Sequence, residues 1–260
     1  MASIKPTLRV LALGLTLAAC GTGGVPTTAP SPSSSASPTP GLTAGTRATP
    51  RPSPTALTYP ANVMHLPHFA PLEVETYFVE PVATDIQVLY TIPADGWISW
   101  FGAANPEGGV GLSIINVTNV VGHGCTYHAA AYPPVGPTVD DMATALTQLE
   151  PFELTKPPTA VTAWGFSGRY LELTVPDIDF EVRDDGNIFP DCADDELWSW
   201  IGPPLSFAYH GYSEPGQAEE IWLLDIDGQR LMIVAATSPG SSQADLAELR
   251  SILDSIEIVP

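Results

Sequence analysis

Acidic residues are absent from the first 72 positions, and basic residues nearly vanish after them. From Glu73 onward only Lys156, Arg169, Arg183, Arg230 and Arg250 are basic, five against all 29 acids, so this region carries a net charge of −24. Phosphate backbones are held by clustered Lys and Arg, which excludes nucleic acid as a partner. An anionic membrane surface repels such a region. A field of this sign attracts cations, divalent ions included, and it also favours solubility. Long apolar runs are missing as well: the run over 10–19 is about half of the ~20 residues a membrane helix needs. Catalytic signatures are equally scarce. The chain has no H-E-x-x-H, no glycine loop ending in Lys-Ser/Thr and no C-x-x-C. Gly165-Phe166-Ser167-Gly168 misses the G-x-S-x-G spacing by one residue and precedes a strand rather than a helix. These absences point away from an enzyme.

At the N-terminus stand Lys5 and Arg9, the short apolar run, and then Leu17-Ala18-Ala19-Cys20-Gly21. This order matches a secretory signal, and its end resembles the bacterial lipobox, in which the cysteine becomes the lipidated first residue. The expectation is a signal peptide over 1–19, palmitate or a related acyl chain on Cys20, and lipid anchoring at the extracytoplasmic face of the cell membrane. Three cysteines are an odd number for an exported protein. Acylating Cys20 leaves Cys125 and Cys192 to form a disulfide in an oxidising compartment. Residues 20–57 are almost entirely Pro, Ser, Thr, Ala and Gly, with only Arg47 and Arg51 charged. Such a composition cannot repay the entropy of ordering, so a disordered linker is expected, a coil reaching roughly 30–35 Å.

Residues 58–260 suffice for one domain with its own core. Strands are expected over 86–92, 110–117 and 169–175, and a hairpin over 221–226 and 229–234 about the turn Asp227-Gly228. One helix is predicted to open at Thr138 with Asp141 completing a capping box, and another near Ser242, whose Leu246, Leu249, Leu253 and Ile256 form a stripe. Strands outnumber helices, and the expected class is α+β, an antiparallel sheet with packed α-helices.

Several short motifs follow one another along the chain. They are Trp97 after Ile92-Pro93-Ala94-Asp95-Gly96, the run Val135-Gly136-Pro137-Thr138, Gly168-Arg169-Tyr170-Leu171-Glu172-Leu173-Thr174-Val175-Pro176, Pro215-Gly216-Gln217, and Trp222 through Arg230. Over roughly residues 80–260 the chain resembles an uncharacterised extracytoplasmic lipoprotein domain of actinobacterial or Chloroflexi type, and more distantly the PsbP-like folds. The resemblance implies the Cys125–Cys192 pairing and helices covering an antiparallel sheet; it implies no reaction. An acidic insert between Pro176 and Cys192 departs from the pattern.

The candidate sites follow from residue type. Asp184, Asp185, Asp191, Asp194 and Asp195 supply oxygen ligands for calcium, without the EF-hand spacing; a solvated acidic loop uses the same letters. Asp225-x-Asp227-Gly228 also invites a calcium reading but sits where a hairpin turn belongs. His123, Cys125 and His128, with Cys192, could ligate zinc if the thiols stayed reduced. Trp97, Trp100, Trp198 and Trp200 could present rings to a sugar or to a partner's apolar anchor, or fill the core. The function expected is a non-catalytic binding or interaction module engaging an envelope protein, glycan or small ligand. The alternatives are an envelope-associated enzyme and a calcium-dependent binding protein.

Overall fold

The structure, a computed structural model, describes residues 60–183, 187–203, 209–212 and 214–260. The expected signal peptide, Cys20, the linker and the candidate ligands Asp184 and Asp185 lie outside the described residues. The chain first runs through β1 (Ala61–Asn62), β2 (Thr76–Val79), β3 (Gln87–Thr91), β4 (Ile98–Ser99), β5 (Gly102–Asn105) and β6 (Val110–Ile115). It continues through β7 (Asn119–His123) and β8 (Tyr127–Ala130) into helix α1 (Val139–Thr147), and then through β9 (Glu153–Ala163) and β10 (Phe166–Thr174). The last part holds β11 (Trp198–Ile201), β12 (Tyr209–Gly211), β13 (Ala218–Ile226), β14 (Gln229–Thr237), helix α2 (Gln243–Asp254) and β15 (Glu257–Val259).

These strands form three sheets among the described residues. The central one is seven-stranded, in the order β4-β5-β6-β14-β13-β10-β9, and the others are β1-β2-β3-β15 and β12-β11-β7-β8. The hairpin β13–β14 dictates this layering. In β14, Leu231, Ile233 and Ala235 enter one core with Val88 and Tyr90 of β3 and with Leu249, Ile252 and Leu253 of α2. Met232 and Val234 alternate into a second core with Val120 and Val121 of β7, Trp200 of β11, and Met142 and Leu146 of α1. A strand buried on both faces reads as a continuous apolar run, and it needs a layer on each side.

The expected α+β class is therefore corrected. The fold is predominantly β and sandwich-like: the layers flanking the central sheet are themselves mostly sheets, and the two α-helices have nine and twelve residues. One sheet with a single covered face would leave half of the Leu231–Ala235 side chains in water.

Local signals survive inside this different architecture. Thr138 caps α1, with Thr138 Oγ1 accepting from Asp141 N at 3.1 Å and Asp141 Oδ2 accepting from Thr138 N at 3.0 Å. Ser242 caps α2 through Asp245 N. The Asp227-Gly228 turn has both residues at positive φ, 51° and 84°, as a tight two-residue hairpin requires. Asp225 Oδ1 accepts from Gly228 N at 2.7 Å, so this carboxylate serves the turn. Arg230 ties the hairpin to the segment before α1, donating to the carbonyls of Val117, Gly136 and Thr138.

Candidate ligand cleft

Cross-strand register brings five residues into one row on the second face of the central sheet. Ile98 pairs with Ala104, Ala104 with Gly111, Gly111 with Ala236, and Ala236 with Glu219. Three successive small residues leave a depression there, because α1 packs farther along, against β9, β10 and β13. Ser113 extends the same floor, and a cleft of about 860 Å³ opens over it. That volume suits a small ligand.

On the β4 side the cleft is walled by Phe69, Ile98 and Trp100. Phe69 is 56% exposed and sits at φ 62°, a left-handed backbone that a bulky residue rarely adopts. Ser99, 2% exposed, holds it there. Its Oγ accepts from Ala70 N at 2.9 Å and donates to Pro67 O at 2.8 Å, while Ser99 O accepts from Phe69 N at 3.2 Å. The Phe69 ring lies near-parallel to that of Trp100, with centroids 5.4 Å apart, and the His68 ring stacks on Trp100 at 4.9 Å. On the β13 side stand Tyr212, Glu214 and Gln217. Tyr212 Oη donates to Glu219 Oε2 at 2.7 Å, so the carboxylate ending the cross-strand row is buried, 1% exposed, and hydrogen-bonded. Burial, then the Glu219 charge, pushes the Tyr212 phenol well above its ordinary pKa.

Two turns close the end of the cleft by touching through glycine. A Cβ on Gly108 would meet Asp245 Oδ1 at 2.6 Å, and one on Gly109, at φ 62°, would meet Ser238 Cβ at 2.8 Å. Ser238 N donates to Gly109 O at 2.7 Å across the contact, and Gly108 N donates to Asn105 Oδ1 at 2.9 Å within its own turn. Glu107 and Asp245 line this end.

The four candidate tryptophans separate. Trp97 is 1% exposed in the first core, with Nε1 donating to Glu248 at 3.0 Å. Trp200, also 1% exposed, is in the second core; Trp198 packs beside it and stacks on His128 with centroids 4.3 Å apart. Only Trp100 of the four lines the cleft. The strand carrying Trp198 and Trp200 follows a short 3-10 turn over Ala193–Asp195, so the acidic lead-in and the extended pair occupy successive segments.

Cys125 and Cys192 form a disulfide, with Cα atoms 4.5 Å apart. This removes the thiolates that a zinc site would use. His123 Nδ1 accepts from the backbone N of Cys125 and Thr126, and His128 Nε2 contacts Gly124 O at 2.9 Å. Asp191, Asp194 and Asp195 are exposed. Among the described residues no three His, Cys, Asp or Glu side chains converge as a metal site would require. Gly165-Phe166-Ser167-Gly168 falls at the β9–β10 hairpin, with Gly165 at φ 89° in the turn.

The sequence reading misses Phe69, Glu107, Glu214 and Gln217. Glu107 lies inside the turn-forming cluster Asn105-Pro106-Glu107-Gly108-Gly109, and Glu214 and Gln217 flank Pro215-Gly216; Phe69 carries no such signal. Comparison with known proteins finds no matching family model and no matching curated protein, so the geometry of the cleft carries the functional reading.

Proposed function

We propose that this chain is a cell-surface lipoprotein, anchored through Cys20, whose acidic β domain binds a small ligand without transforming it. The cleft over the Ala104–Gly111–Ala236 row is the binding site. The observation that carries this reading is Phe69. A strained backbone persists only where its surroundings over-determine it, and such strain clusters at ligand sites. Here buried Ser99 enforces the strain, and the result is an aromatic ring exposed on a cleft wall beside Trp100.

A thermal-shift panel of envelope sugars, amines and organic acids on the full chain tests the proposal. A ligand that raises the midpoint of the wild type and shifts Trp100→Ala clearly less supports it. A ligand that shifts both proteins equally places binding elsewhere and ends it.

A further inference from the structure

Resting on the cleft reading above, we infer that the ligand is a cation: a protonated or quaternary amine held between the Phe69–Trp100 wall and the carboxylates of Glu107 and Glu214. The cleft's described lining includes Glu107, Glu214 and Asp245 and contains no Lys or Arg. The internal stretches 184–186, 204–208 and 213 contain no basic residue in their sequence. They therefore cannot supply a cation to it.

The five basic residues of the acidic region are all committed elsewhere. Lys156 pairs with Glu172 at 3.4 Å, Arg169 with Asp140 at 2.6 Å and Arg183 with Glu181 at 2.8 Å. Arg250 pairs with Glu220, and Arg230 is spent on backbone carbonyls. Asp245 is partly engaged, because Ser242 Oγ donates to its Oδ2 at 2.6 Å. An anionic ligand would enter this field against repulsion from carboxylates and find no Lys or Arg among the described lining residues. A neutral sugar would gain the ring contact but nothing from the field. An amine gains both: the ring face attracts a cation through its quadrupole, and the surrounding charge of −24 draws it in from solution.

Spermidine, with cellobiose as the neutral comparison, is titrated calorimetrically into the full chain. Spermidine should bind, weaken as salt is raised, and lose about tenfold in affinity in Trp100→Ala. Trp100 also packs against its neighbours, so the double variant Glu107→Gln/Glu214→Gln provides a second test at the surface; it should weaken spermidine by a similar ~10-fold. The double variant Asp85→Asn/Glu257→Gln, away from the cleft, should bind as the wild type does. Equal losses in the remote and cleft variants would reduce the effect to general acidity and overturn the inference. Trp100-dependent binding of cellobiose without spermidine would overturn the cation while sparing the cleft. Binding of neither would remove both.

Discussion

At Phe69 the chain places an aromatic ring at φ 62° with more than half its surface exposed, held by Ser99. The left-handed backbone costs an L-residue on the order of 1 kcal/mol, and an exposed ring returns little of it. Phe69→Asn, with a side chain that tolerates this backbone, should keep stability within about 1 kcal/mol of the wild type while weakening ligand binding about tenfold. Denaturant unfolding and calorimetry on the same sample check the two halves. Trp97→Ala should show the reverse. It empties a core position and costs about 3–5 kcal/mol, with ligand affinity surviving wherever the variant folds. Under Tyr212 the buried Glu219 carboxylate accepts the phenol's hydrogen bond. Tyr212→Phe removes that donor and should cost about 1–3 kcal/mol in denaturant unfolding. The difference between Trp97 and Trp100 is half-legible in the sequence. Three positions apart in extended chain, they must face opposite sides. Which side is core depends on residues far away, on β6 and α2.

At the scale of elements, local chemistry is read well from sequence and layering badly. The Thr138–Asp141 capping box, the Ser242 cap and the Asp227-Gly228 turn are each built within four residues. The expected α+β class fails because it turns on whether a run such as Leu231–Ala235 is covered on one face or two, and periodicity in one strand does not say what covers it. The cleft is harder still, since its floor joins Ala104, Gly111 and Ala236 from three strands, each unremarkable alone. The capping box makes its own prediction. Hydrogen bonds from the Thr138 side chain and backbone hold the Asp141 carboxyl below its ordinary pKa. A group depressed in the folded state contributes stability above its unfolded pKa and loses it as pH falls through the folded value. Stability should therefore decline below about pH 4, and Asp141→Asn should flatten that part of the curve in urea unfolding at a series of pH values.

For the whole molecule, the disulfide spans 67 positions and joins the β7–β8 turn to the segment leading into β11. In the chain-entropy account a loop of that length contributes roughly 4 kcal/mol. Cys125→Ser/Cys192→Ser should lower the thermal midpoint by on the order of 10 °C, and reductant should do the same to the wild type. The export reading has an independent check. Labelled palmitate should be incorporated into the chain in a bacterial host and lost in Cys20→Ser; equal labelling of both would remove the anchor assignment.

The central claim is that the cleft is where ligand binds, and the six tryptophans report on it directly. Indole N–H resonances of the full chain would be followed by NMR as spermidine, and then cellobiose, is added. The account predicts that the Trp100 signal moves and saturates with one of them while the core signals of Trp97 and Trp200 stay in place. A Trp100 signal unmoved by either compound, or movement confined to Trp198 or Trp222, would contradict it.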